Sequence, residues 1–122
     1  MANSKKIESF EQLIVWQKSQ DLAVDIYKET KSFPSDELFA ITNQLRRAAS
    51  SISANIAEGF GRQTNKDKLH FYVISYGSLL EVKNFLYLSN KLSYISDIKL
   101  EELLQKCLNC QKLINASKKS LM

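Results

Sequence analysis

The sequence predicts an all-α domain, an antiparallel up-and-down four-helix bundle, on three observations. The first is punctuation. The 122 residues contain only three glycines and one proline. Strand-rich folds need many turns, and turns draw on both residues, so the scarcity means a few long elements with few connections. The second is periodicity: apolar residues recur at helical spacing over long stretches, and no strand candidate, internal repeat or low-complexity tract interrupts them. The third is that the breaks between those stretches carry helix start and stop signals. The length suits one domain, large enough to bury a core without metal or disulfide staples.

Residues 1–8 read as a loose polar arm, and 9–122 as the single bundle domain. Ser9-Phe10-Glu11-Gln12 has the form of a capping box ahead of a first helix over about 10–31, whose apolar stripe carries Leu13, Trp16, Val24 and Tyr27. Pro34 breaks that helix and pushes Phe33 out of helical geometry. Ser35 then caps a second helix over about 35–59, with Asp36 and Glu37 in the first turn, where the helix dipole favours negative charge. Gly59 and Gly61 end it as left-handed caps. Thr64-Asn65-Lys66-Asp67 starts a third helix over about 65–92. After a short break a fourth runs over about 97–119, capped by Ser96 or Asp97. Connections of about four to six residues make neighbouring helices antiparallel.

The helices differ around their circumference. The fourth is one-sided: Leu100, Leu103, Leu104, Cys107 and Ile114 share a stripe, and Glu101, Glu102, Gln105, Asn109 and Lys112 lie opposite. The second has a core stripe of Leu38, Ile41, Leu45, Ala49, Ile52 and Ile56. Opposite lie Ala40, Arg47, Ser51, Ala54 and Glu58, and 48–57 carries no charge. The third has Leu69, Tyr72, Val73, Tyr76, Leu80 and Tyr87 on one face. Its other face holds Phe71, Ile74, Ser78, Val82 and Phe85, and 69–80 holds no permanent charge. Apolar and small residues on two opposed faces require a second packing partner, which predicts a symmetric homo-oligomer assembled through the second and third helices. The expected interface, or buried polar network, comprises Arg47, Ser51, Ala54, Asn55, Glu58, Phe71, Ile74, Ser78, Glu81 and Phe85. Arg46 or Arg47 is expected to meet Glu81 on a neighbouring helix or subunit and fix the register; the alternative is that these arginines bind phosphate.

The net charge is +4 at pH 7, basic enough to permit attraction to nucleic acid without demanding it. Arg62, Lys66, Lys68 and His70 cluster at the connection between the second and third helices, where repetition around a ring forms a basic rim. Lys112, Lys118 and Lys119 form a second basic group that already suits the dipole of the fourth helix. No apolar run is long enough to span a membrane and no apolar signal core opens the chain; with only two cysteines, a cytoplasmic location is expected.

Catalytic and metal chemistry has little to stand on. His70 is the single histidine, too few for a histidine-based metal site. Cys107-x-x-Cys110 lies inside a helix with no second ligand pair and reads as core packing, not zinc or redox chemistry. No glycine-rich phosphate loop, nucleophile elbow or calcium loop is present. No cofactor, metal or catalytic residue is expected, and the chain is not expected to be an enzyme.

Several segments in order, Leu13-Ile14-Val15-Trp16-Gln17-Lys18, Phe33-Pro34, Gln44-Leu45-Arg46-Arg47-Ala48-Ala49, Ser51-Ile52, Asn55-Ile56-Ala57-Glu58-Gly59 and Gly77-Ser78-Leu79-Leu80-Glu81, resemble the four-helix-bundle proteins encoded in 23S ribosomal RNA intervening sequences. The accessory variability proteins of diversity-generating retroelements are similar. The resemblance covers about residues 10–115 and is most specific over 44–59. It implies a four-helix bundle and a homopentameric ring. Through the retroelement relatives it also implies binding of nucleic acid and of a reverse transcriptase by a basic ring surface. The expectation is therefore a non-catalytic homopentamer binding structured nucleic acid, RNA foremost but also DNA, through a basic rim: Arg62, Lys66 and Lys68 first, then Arg46 and Arg47. The alternative is a protein-interaction scaffold or accessory subunit, for example of a reverse transcriptase, with no nucleic-acid role of its own.

Overall fold

A computed structural model describes residues 6–122 and contains four long helices with no strand among those residues. They are α1 (Ile14–Thr30), α2 (Ile41–Phe60), α3 (Asn65–Lys91) and α4 (Asp97–Ser120). α1 packs on α2, α2 on α3, α3 on α4 and α4 on α1, while the diagonal pairs stay apart. That pattern is a four-cornered bundle with neighbours antiparallel. The expected polar arm lies outside the described residues over 1–5, and 6–8 is exposed coil.

The starts of the first two helices are later than the sequence predicts. The Gln12 side-chain oxygen accepts from the Glu8 and Ser9 N–H groups, as in the predicted capping box, but it closes a 3-10 turn over Phe10–Gln12. Leu13 is extended, and α1 begins after it. Likewise Ser35–Glu37 is a 3-10 turn followed by three turn residues, and α2 starts only at Ile41. For α2 the cause is tertiary. Phe33 is buried 5.3 Å from the Tyr94 ring, and the Tyr94 hydroxyl donates to Glu37 at 2.6 Å. Anchored there, the chain tightens into bonds three residues apart before the helix opens out. Leu38, expected in the core stripe, is left exposed outside α2.

The later boundaries follow local chemistry. The Thr64 hydroxyl accepts from the Asp67 N–H at 3.1 Å, and the Ser96 hydroxyl from the Lys99 N–H at 3.1 Å. α3 ends in a Schellman turn: the Tyr94 N–H donates to the Ser89 carbonyl and the Ser93 N–H to the Asn90 carbonyl. Ser93 takes the left-handed conformation there, with φ 64°.

The core of α2 is the predicted stripe from Ile41 through Ile56, and that of α4 is Leu103, Cys107, Cys110 and Ile114. In α1 the buried face is Val15, Ser19, Leu22, Ala23 and Ile26, while Val24 and Tyr27 are exposed and Leu13 and Trp16 half-buried. α3 buries Ser75, Ser78, Leu79, Val82, Leu86 and Ser89. Serine decides both departures. The Ser19 hydroxyl donates to the Val15 carbonyl at 2.7 Å, Ser89 to Phe85 at 2.7 Å and Ser75 across to Ile52 at 2.8 Å. With its hydroxyl satisfied by a carbonyl, serine packs as a small residue. This is also how α2 and α3 come so close.

Candidate nucleic-acid interface and assembly face

Close approach of α2 and α3 positions the basic cluster. Gly59 lies inside α2, and a Cβ there would stand 2.7 Å from the Phe71 Cβ of α3. Gly61 has ordinary right-handed backbone, with φ −78°. The glycines therefore do not serve as left-handed caps; Gly59 makes room for Phe71. The turn that follows carries Arg62, whose guanidinium stacks 4.7 Å over the Phe71 ring and lies 3.5 Å from the Glu58 carboxylate. The Lys68 ammonium reaches back to donate to the Phe60 carbonyl at 2.9 Å, capping the C-terminus of α2. Lys66 is exposed and makes no ion pair among the described residues.

The same end of the bundle receives the C-terminus of α4. Leu13, Phe60, Lys68, Tyr72, Ser117 and Leu121 line one small cavity, so α4 ends beside the α2–α3 turn. Lys118 sits 4.7 Å over the Tyr76 ring, and Lys119 is exposed beside it. The first basic group and the last two lysines of the second thus form one basic end, Arg62, Lys66, Lys68, Lys118 and Lys119, set against Glu8, Glu11, Glu58 and Asp67, while Lys112 lies further back along α4 beside α1. Strict alternation of helix direction could have found this, since in an up-and-down bundle the α2–α3 turn and the end of α4 share an end. The other end has the opposite bias, with Glu29, Asp36, Glu37, Asp97, Glu101 and Glu102 against Lys28, Lys31, Lys91 and Lys99.

Arg46 and Arg47 are not part of the basic end; they lie about 20 Å up α2 from it. The Arg46 Nε donates to the Thr30 hydroxyl at 2.8 Å, and its guanidinium lies 4.9 Å over the Tyr27 ring. It fastens α2 to the end of α1. Arg47 is exposed and lines a polar cleft with Asn43, Gln44, Ser51 and Glu81, without an ion pair to Glu81.

The residues expected at an assembly face run along the seam of α2 and α3. Asn55 donates to the Ser51 carbonyl at 2.8 Å within α2, and Ser78 donates from α3 to the Ser51 hydroxyl at 2.9 Å, so Ser51 and Ser78 join the two helices within the chain. Ala54, Glu58, Ile74 and Glu81 are exposed, and Phe71 and Phe85 half-buried. The second apolar face of α3 points away from the core, but its members are Val73, Ile74, Leu80, Tyr87 and Leu88. Beside α2 a groove of about 730 Å³ runs along α1, lined by Phe10, Trp16, Val24, Tyr27, Ala54 and Ala57 among others.

Among the described residues no group of His, Cys, Asp or Glu is placed to hold a metal ion, and no helix is long and apolar enough to cross a membrane. Both cysteines are free and buried, and burial pushes the Cys107 thiol up to about 12, which keeps it protonated.

Among solved structures the chain is similar to a protein of unknown function from the S23 ribosomal protein family of Bacteroides thetaiotaomicron, known at 1.70 Å resolution. The two are 26% identical and superpose with a TM-score of 0.80, covering 87% of this chain and 96% of the other. No curated protein matches. The model of one family, 23S rRNA-intervening sequence protein, matches residues 11–116. With nearly the whole bundle inside that match, the chain belongs to the 23S rRNA-intervening sequence protein family.

Proposed function

We propose that the protein is a non-catalytic homo-oligomer, a pentameric ring, that binds structured RNA through its basic end. The observation that carries this reading is the gathering of Arg62, Lys66, Lys68, Lys118 and Lys119 at one end of the bundle, two elements contributing to one surface. Lysine and arginine side chains at a common surface neutralise phosphates and release counterions, which gives affinity tolerant of sequence and sensitive to salt. Assembly multiplies the effect, because each copy adds one basic end to the same rim. Arg62 and Lys68 are held by Phe71 and Phe60, which restrains them before phosphate arrives. Lys66 and Lys119 are free to move to it. The descriptions of the family and of the structural relative make ribosomal RNA the first ligand to test, and the compartment in this proposal is the cytoplasm.

The test is fluorescence anisotropy with a labelled 23S rRNA fragment at 50 and 200 mM salt. Affinity is expected to fall steeply between the two, and Lys66→Glu with Lys119→Glu to weaken binding and flatten the salt slope. Absence of binding to ribosomal RNA or duplex DNA at 50 mM salt overturns the reading. A second reading, a protein-interaction scaffold such as an accessory subunit of a reverse transcriptase, draws on the opposite end. There Phe39 is 91% exposed amid acidic residues, a solvent exposure rare for an aromatic side chain without a partner. On that reading a partner protein binds with an affinity that the two lysine substitutions leave unchanged.

A further inference from the structure

Glu58 is out of place on the surface that the chain offers to phosphate. It is an exposed carboxylate in the last turn of α2, where the helix dipole disfavours negative charge. Asp67 nearby suits the N-terminus of α3, but Glu58 has no such reason. Its contact with Arg62 is 3.5 Å long, between side chains that are 59% and 45% exposed, and an open pair of that kind adds little stability. A carboxylate there also repels the RNA backbone. Neither the fold nor the capture of phosphate alone accounts for it.

Beside it lies a hollow of about 540 Å³, lined by Phe10, Ala54, Asn55, Ala57, Glu58 and Phe71. The two alanines leave its floor free of bulk. Phe10 borders it from the turn ahead of α1, and Phe71 from α3, with the Arg62 guanidinium stacked on the Phe71 ring. Aromatic and guanidinium planes are the groups on which unpaired RNA bases stack. The polar atoms restrict which base fits. The Asn55 amide nitrogen is used inside α2, donating to the Ser51 carbonyl at 2.8 Å and to the Ser51 hydroxyl at 2.9 Å. Its remaining atom, Oδ1, is an acceptor, and the Glu58 carboxylate also only accepts. Three residues apart on one helix, the two side chains are neighbours. The hollow thus presents acceptors and calls for donors. Guanine carries adjacent donors, N1–H and the N2 amine, on its pairing edge. Adenine, cytosine and uracil each set an acceptor beside the donor, and an acceptor against Glu58 or Asn55 is left unpaired.

We infer that this hollow is a subsite for one unpaired guanine of the bound RNA. Glu58 and Asn55 accept from its pairing edge, Phe10 and the Arg62–Phe71 stack flank the base, and its phosphates run toward Lys66. The inference rests on RNA binding by the basic end, proposed above, and names the feature of the RNA that is selected. A ligand that joins phosphate to guanine gives the carboxylate a role that phosphate alone does not.

Fluorescence anisotropy with labelled RNA hairpins tests it. The loop is uridine throughout, and its central position is kept or replaced by guanosine, inosine or adenosine. The guanosine loop is expected to bind at least tenfold tighter than the uridine loop. Inosine, which lacks the N2 amine, and adenosine are expected to lose most of that gain. Glu58→Gln is expected to abolish the guanosine preference, because glutamine offers one acceptor oxygen where glutamate offers two. Phe10→Leu keeps apolar packing but removes the ring, and is expected to weaken binding of the guanosine loop about tenfold. Light scattering is expected to give Glu58→Gln the mass of the unsubstituted protein. If guanosine and uridine loops bind alike, or Glu58→Gln keeps the preference, the guanine subsite is wrong while salt-dependent RNA binding stands. If Glu58→Gln changes the mass, Glu58 serves a contact between copies and the subsite falls. If no hairpin binds at 50 mM salt, the subsite and the proposed function fall together.

Discussion

Two of the three glycines sit in opposite circumstances, and replacing each with alanine separates them. At Gly59 the new methyl group would stand 2.7 Å from the Phe71 Cβ, so α3 must shift; we expect Gly59→Ala to cost about 1–3 kcal/mol in a denaturant titration. At Gly77 the space is open, and the helix gains propensity; Gly77→Ala is expected to stabilise the dissociated chain by roughly 0.5–1 kcal/mol. Opposite signs for one chemical change in adjacent helices are the signature of crowding at one site and vacancy at the other. Cys107 gives the residue scale a pH dependence. Its thiol is raised above the ordinary value by burial, so the folded chain holds the proton more tightly than the unfolded one. That contribution is fully present below the ordinary thiol range and is lost as pH climbs from there toward about 12. Stability measured between neutral pH and pH 11 should decline through this interval, less so in Cys107→Ala once its cavity cost is subtracted. Iodoacetamide should label neither cysteine until the chain unfolds.

At the scale of elements, the caps and the connections carry the predictions. Ser93 sits left-handed at the end of α3, a conformation that glycine adopts without strain, and Ser93→Gly is expected to raise stability by roughly 0.5–1 kcal/mol. Arg46 and Lys66 separate structural from binding cations. Arg46→Ala removes the bond to Thr30 and the stacking on Tyr27 and should lower stability by about 1–2 kcal/mol. Lys66→Ala should leave the melting temperature unchanged and reduce affinity for RNA. The sequence makes these elements legible unevenly. Thr64 and Ser96 cap α3 and α4 as their side chains suggest, because an N-cap is a local interaction. The start of α2 is not legible, since it depends on Tyr94 holding Glu37 from a distant stretch of the chain. The buried face of α3 is obscured by its serines, whose hydrogen-bond partners on carbonyls and on the Ser51 hydroxyl the sequence does not show. The second apolar face of α3 is legible as an excess of apolar residues, though which of them point outward is not.

At the scale of the molecule, the antiparallel path of four helices sorts the charges. It brings the α2–α3 turn and the end of α4 together, and it sends the Asp36, Glu37 and Asp97 connections to the far end. Neither group is confined to one stretch of sequence, so the polarity is invisible until the direction of each helix is fixed. Reversing Lys66 and Lys119 should slow association with RNA more than it speeds dissociation, with the difference shrinking as salt screens the approach. The sorting has a consequence for any ring the chain builds. In copies related by rotation about one axis, the components of their charge asymmetries along that axis add, while those across it cancel. The ring then has an electrical front and back. On the proposed function, a polyanion would align such a ring before touching it and meet the front first, so each ring would take its ligand on a single face and leave the Phe39 side free for a second partner.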